Sequence, residues 1–232
     1  MPNELLPCVE VPPPGPVNSA VIWLHGLGAD GHDFEPIVPH LGLGGDHGVR
    51  FVFPHAPRRA VTINMGLIMP AWYDIRELDL RREHDERGVR ESVEQVRALV
   101  AHEHERGLPF DRIVLAGFSQ GGAIALYVAL RYPETLAGIM ALSCYLISEH
   151  SLENERHTAN QSTPIFQAHG TEDPMVALAR GSEARDRLQE LGYAVEWKSY
   201  PMGHEVHPDQ IRDIGAWLKL RLSGASPGRP SV

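Results

Sequence analysis

"RIVLAGFSQGGAIALYVAL", residues 112–130, changes character at its middle. Ile113, Val114, Leu115 and Ala116 make an apolar run of strand type that stops at Gly117. A second apolar run, now with helical spacing, begins at Ala123. Between the two lie Ser119, Gln120 and three glycines. A strand that turns at once into a helix is the building unit of an alternating α/β fold. Glycine on either side of the turn leaves room where a side chain would collide with backbone. The stretch therefore reads as a strand over 112–118, a helix over 121–132, and a serine held at the tip between them.

Gly117-Phe118-Ser119-Gln120-Gly121 fits G-x-S-x-G, the pattern of a nucleophile elbow. In that arrangement backbone strain lifts the serine hydroxyl out of the sheet, and the helix N-terminus beneath it favours developing negative charge. The plain alternative is a strand-turn-helix with a chance serine. The pattern is short, and what argues for the elbow is its context: a β-branched run before and a helix after.

Working outward, "AVIWL" (20–24), "VRFVFP" (49–54), "LAGIMALSCYL" (136–146), "PIFQAHG" (164–170) and "AVEWKSYP" (194–201) read as further strands. Val89, Val93, Val96, Leu99 and Val100 share one helical face, and that helix closes near Gly107. Ala177, Ala184, Leu188 and Leu191 mark another helix, closed by Gly192. Ile211, Ile214, Leu218 and Leu222 mark the last. Residues 148–162 read as a polar loop with room for a short helix, and 58–75 as long and irregular. Alternating strands and helices predict an α/β fold: a doubly wound, mostly parallel sheet flanked by helices, with ligand sites at the carboxyl ends of the strands. One domain over 17–222 is expected, after an extended N-terminal segment (1–16) and before a tail (223–232) of disordered composition.

The formal net charge of −9 argues against a nucleic-acid partner, which requires a basic face. Cys8 and Cys144 are the only cysteines, too few for a disulfide framework or a cysteine-rich metal site. No apolar run approaches the ~18–20 residues of a membrane span, and no signal-peptide pattern is visible, so a cytoplasmic location is the default expectation. "HEVH", residues 204–207, falls one residue short of the H-E-x-x-H spacing that places two histidines on one helical face. Neither a metal nor a cofactor is expected.

A serine hydroxyl needs an adjacent base, and the base needs a carboxylate to orient it. In α/β-hydrolases the chain order is serine, acid, histidine. Strand 164–170 runs into "TEDPMV", which offers Asp173 and Glu172; Asp173 could instead cap the helix that follows. The next strand runs into "MGHEVHP". There Gly203 allows His204 a close approach, while His207 reads as a surface or capping residue and His169 as a packed residue of the site wall. An oxyanion would need two N–H donors. One is that of Gln120, next to the serine, and the other lies in the glycine-rich "WLHGLGADG" loop, at Leu27.

Together, "LHGLGADGHDF", "FVFPHAPRRAVTINMGLIMPAWYDI", "GFSQGGAIAL", "LSCYL", "HGTEDPMV" and "YPMGHEV" resemble the bacterial carboxylesterases of the phospholipase/carboxylesterase family, to which the acyl-protein thioesterases also belong. The likeness spans about residues 20–217. It implies an α/β-hydrolase fold without a large cap domain, Ser119, Asp173 and His204 as a triad, and Leu27 and Gln120 as oxyanion donors. It also implies an acyl pocket shaped by Trp72 and the loop before it. Met65, Leu67, Ile68 and Met69 are the expected pocket lining, with Trp72 as a wall, and Met175 and Val176 are expected to touch substrate as well. Members are often homodimers, so a homodimer belongs among the expectations.

The expected function is that of a serine carboxylesterase acting on a small-molecule or lipid-like ester of short to medium acyl length through an acyl-enzyme. The alternatives are an acyl-protein thioesterase or lysophospholipase with the same triad, and a non-catalytic binding protein on the same fold.

Overall fold

A computed structural model describes residues 5–77 and 85–222. In chain order the strands are β1 (Cys8–Val11), β2 (Ser19–Leu24), β3 (Val49–Pro54), β4 (Arg58–Val61), β5 (Leu67–Pro70), β6 (Ile113–Phe118), β7 (Gly138–Leu142), β8 (Ile165–Gly170) and β9 (Val195–Tyr200). The α-helices are α1 (Glu86–Glu105), α2 (Gln120–Leu130), α3 (Glu149–Glu155), α4 (Leu178–Glu190) and α5 (Pro208–Leu222). Seven strands form one sheet in the order β1-β3-β2-β6-β7-β8-β9, and β4 and β5 form a separate hairpin. All neighbours in the large sheet are parallel except β1 and β3.

Strands buried on both faces must be apolar nearly throughout. β2, β3, β6, β7 and β8 are buried at every position, and their alternate side chains feed two cores. Ala20, Ile22, Leu24, Ile113, Leu115, Ile139 and Ile165 face one side, where Val89, Val93 and Val96 of α1 and the body of α2 pack. Val21, Trp23, Phe51, Phe53, Val114, Met140 and Phe166 face the other, against Ile214, Trp217 and Leu218 of α5 and the 3-10 segment Glu35–Leu41. α2 lies in the middle of the first layer and is buried on nearly its whole circumference. This explains why its sequence has no polar stripe.

Two segments differ from the sequence reading. Part of the N-terminal lead-in is an edge strand: Cys8–Val11 pairs antiparallel with β3, Cys8 opposite Pro54. The stretch read as irregular, 58–75, contains the hairpin β4–β5, with Val61 opposite Leu67 and a tight turn in which Met65 and Gly66 have positive φ. The tail 223–232 lies outside the described residues.

Candidate active site

Four loops at the carboxyl ends of parallel strands carry the candidate residues: Leu27 after β2, Ser119 after β6, Asp173 after β8 and His204 after β9. Ser119 sits at φ 54°, ψ −121°, outside the wells open to a residue with a Cβ. Its N–H is held by Leu142 O at 2.8 Å, and its own carbonyl accepts from Ala123 N–H as α2 begins. α2 can start against the end of β2 only because residue 121 is glycine: a Cβ there would stand 2.4 Å from His25 O.

β9 is three strand spacings from β6, about 14 Å. The loop after β9 crosses that gap by lying against β8, where a Cβ on Gly170 would meet Met202 O and Gly203 O at 2.4 Å. Glu172 N–H donates to Met202 O and Thr171 N–H to Tyr200 O, tying the two loops together. His204 then packs its ring on Phe118, with centroids 4.7 Å apart. Its Nε2 lies 2.9 Å from Ser119 Oγ and its Nδ1 2.7 Å from Asp173 Oδ2.

The Asp173 side chain is fully buried. Its second oxygen accepts from Met175 N–H and Val176 N–H, both at 2.8 Å. Burial alone would push this carboxyl up. The hydrogen bonds from His204, Val176 and Met175 outweigh it and hold the group below the usual carboxylate value. With Nδ1–H of His204 donated to a fixed carboxylate, Nε2 is left to accept the serine proton. Glu172, the rival acid, is exposed. His169 is buried and donates Nε2–H to Val176 O at 2.7 Å; burial pushes its imidazole below the usual histidine value. His207 Nδ1 accepts from Asp209 N–H at the start of α5.

In the loop after β2, Gly26 O accepts from Ala29 N–H in a tight turn, and Gly28 has φ 79° at its third position, as a type II turn requires. A Cβ on Gly26 would lie 3.5 Å from Ser119 Cβ, so this turn abuts the serine. Gly28 N–H is taken by Pro70 O at 2.9 Å. The first turn of α2, beginning at Gln120, presents N–H groups that have no carbonyl within the helix.

The expected pocket residues divide. Met65, Leu67 and Ile68 of the hairpin are exposed, at 92%, 59% and 64%, as is Met175 at 70%. Met69 is half-buried, and Val176 is buried in the turn around Asp173. Trp72 does not stand as the wall of an open pocket. Its ring is fully buried against His25, its Nε1–H donates to His25 O at 2.9 Å, and its main-chain N–H donates to Gln120 Oε1 at 2.8 Å. The polar struts around it (His25, the Gln120 side chain and Ser92, whose hydroxyl donates to Trp72 O) carried no signal in the sequence. Among the described residues, no group of three or more His, Cys, Asp or Glu side chains could hold a metal ion, and no helix is long and apolar enough to cross a membrane.

A serine on a strained elbow, a histidine and a buried carboxylate in one hydrogen-bonded row define the class: a serine hydrolase on the α/β-hydrolase fold. The sequence model of the phospholipase/carboxylesterase family matches residues 7–222, and the chain belongs to that family. It is 40% identical to acyl-protein thioesterase 1 of Neurospora crassa over 213 residues, which cover 88% of this chain and 87% of that one. The crystal structure of Arabidopsis thaliana SOBER1 superposes with a TM-score of 0.83 at 34% identity, covering 89% of this chain and all of that one. Zea mays acyl-protein thioesterase 2 superposes with a TM-score of 0.82 at 28% identity, over 93% and 99% of the two chains.

Proposed function

We propose that this hydrolase releases acyl chains from S-acylated protein or peptide through an acyl-enzyme on Ser119. The observation that carries the chemistry is the hydrogen-bonded row Ser119–His204–Asp173 at the strand ends. His204 takes the serine proton as Oγ attacks the acyl carbonyl. Asp173 keeps the imidazole in its Nδ1–H form and stabilises the charged ring. The N–H groups of Leu27 and Gln120 receive the oxyanion. His204 then protonates the leaving group, and a water that it deprotonates releases the acid.

Ester and thioester give the same acyl-enzyme, so the triad favours neither. The thioester reading is supported by the acyl-protein thioesterases among the relatives and by the exposed apolar hairpin joined to the Leu27 turn through Gly28 and Pro70. It replaces the short- to medium-chain carboxylesterase as the first reading. That second reading keeps the support of the family's description and of the esterase PE8 structure, 28% identical with a TM-score of 0.80. The test is kcat/KM on a palmitoyl-cysteine peptide against the matched palmitoyl-serine peptide, together with a series of p-nitrophenyl esters of rising chain length. Preference for the thioester and for long chains is the expected result. A preference for acetyl and butyryl esters would return the protein to the carboxylesterase reading.

The hairpin is expected to act on chain length. Each methylene withdrawn from water contributes ~0.8 kcal/mol, so losing contact with two or three of them costs roughly 15- to 60-fold. Leu67→Ser combined with Ile68→Ser is expected to lower kcat/KM for octanoyl esters by that factor while leaving acetyl esters within about twofold. Both side chains are exposed, so the melting temperature should not move. Equal losses for both esters would show that the hairpin does not touch the acyl chain.

A further inference from the structure

We infer that the side chains of His25, Trp72 and Gln120 form a brace that sets the two oxyanion donors relative to each other, with His25 as the positioning residue for Leu27 N–H. The inference rests on the oxyanion assignment proposed above and adds to it the residues that aim the donors.

The ring of His25 is buried and both its nitrogens are engaged. Ala56 N–H donates to Nε2 at 3.0 Å, so the ring proton lies on Nδ1. Nδ1–H then donates to Gly26 O at 2.7 Å. That carbonyl belongs to the same peptide unit as Leu27 N–H. A trans peptide is planar, with its C=O and N–H pointing in opposite directions. Gly26 O also accepts from Ala29 N–H at 3.3 Å, and the shorter bond to the His25 ring, added to that turn, sets the direction of Leu27 N–H. Burial pushes the His25 imidazole below the usual histidine value, which keeps it in the neutral form this pattern needs.

The main chain of His25 is anchored in turn. Its carbonyl accepts the Trp72 indole N–H at 2.9 Å. Trp72 is clamped by Gln120, whose side chain accepts from Trp72 N–H at 2.8 Å and donates to Tyr73 O at 2.7 Å. Gln120 is 1% exposed, and its own N–H is the second proposed donor. Three hydrogen-bonded steps thus lead from one donor to the other: Gln120 side chain to the Trp72–Tyr73 main chain, Trp72 indole to His25 carbonyl, and His25 ring to the Gly26–Leu27 peptide. A buried glutamine that needed only satisfied hydrogen bonds would not require that the segment it holds return a donor to the loop beside Ser119.

Two substitutions of His25 separate this role from mere packing. The amide of asparagine reaches the place of Nδ1 and can still donate to Gly26 O; that of glutamine reaches the place of Nε2 and can meet only Ala56 N–H. Each removes one buried hydrogen bond; glutamine leaves Gly26 O still accepting from Ala29 N–H, whereas asparagine leaves Ala56 N–H without its partner, so asparagine should destabilise at least as much as glutamine. Removing an oxyanion donor altogether costs about 10²–10³ in kcat, and misaiming one should cost a part of that. His25→Gln is expected to lower kcat by roughly 10- to 100-fold with KM within about twofold, while His25→Asn stays within about threefold of the wild type. Trp72→Phe, which keeps the ring and loses the indole N–H, is expected to lower kcat by about 5- to 20-fold. Combined with Gln120→Met it should cost less than the product of the two single losses, because both cut the same path.

Equal kcat losses in His25→Asn and His25→Gln would overturn the brace, as would a Trp72→Phe enzyme with wild-type kcat. Should neither His25 variant fold, the Trp72→Phe result decides. Failure of the underlying hydrolase reading would appear elsewhere, as activity that survives Ser119→Ala, so the two failures are distinguishable.

Discussion

Ser119→Ala is expected to give a folded protein with kcat reduced about 10⁴- to 10⁶-fold on any ester or thioester, since the members of such a triad act as a unit. A second variant sharpens the test. Ser119 occupies a backbone conformation that costs of order 1–3 kcal/mol for a residue with a Cβ, and alanine inherits that cost. Glycine relieves it, against the ~0.5–1 kcal/mol by which its freer unfolded chain disfavours folding. Ser119→Gly should therefore be as inactive as the alanine variant and melt higher. The net gain is up to about 2.5 kcal/mol, so the expected gap reaches about 5–10 °C at most, given that 1 kcal/mol moves a domain of this size by about 2–4 °C. Calorimetry and a p-nitrophenyl ester assay suffice. An alanine variant that turned over normally would place the nucleophile elsewhere. A glycine variant no more stable than the alanine one would mean that the elbow holds no more strain than the ~0.5–1 kcal/mol that glycine itself costs.

Asp173→Asn is expected to lower kcat by about 10⁴-fold with little change in KM. One carboxylate oxygen is committed to Met175 N–H and Val176 N–H. An asparagine keeps its carbonyl oxygen there and turns its NH₂ toward His204. Nδ1 must then accept, the ring proton moves to Nε2, and Nε2 can no longer take the proton of Ser119. Glu172→Gln, at an exposed side chain, should stay within about twofold. The same pair predicts a pH dependence. The native carboxyl lies below its ordinary value near 3.9, so Asp173 contributes stability that is present above that value and fades as the pH falls toward the native one. The gap in stability between wild type and Asp173→Asn should therefore be full at neutral pH and close on acidification below about pH 4. A gap that widened on acidification would mean that the native carboxyl lies above the unfolded value.

Much of the arrangement was readable from the sequence because it is local. Continuous apolar runs bounded by glycine or proline marked the strands buried on both faces. The G-x-S-x-G pattern marked the elbow, and the residues that meet its serine follow directly on two later strands. What could not be read is non-local or lacks a period. In the hairpin, "LIMP" has no alternation because neither of its faces is buried, and alternation arises only where one face is buried. The edge strand Cys8–Val11 is four residues long, too short to show a period beside its proline-rich neighbour. The expectation of Trp72 as a pocket wall came from the family resemblance. Nothing in its neighbourhood reveals that its indole N–H is spent on His25, 47 residues earlier, or its main-chain N–H on Gln120, 48 residues later.

The order of the sheet has a consequence for the life of the chain on the ribosome. From β2 outward the strands follow in the order of synthesis, β6, β7, β8, β9, so each new strand finds its neighbour already made. The proposed nucleophile Ser119 follows the second of these five strands, and His204, its proposed base, follows the last, 85 residues later. At about 5–20 residues per second, roughly 4–17 s pass between the two. Through that interval a nascent chain carries the elbow serine with no base to activate it. On the proposed triad, a chain truncated after Tyr200 is expected to stay inert however well its first strands assemble, because His204 arrives only with the final loop and the helix that follows it.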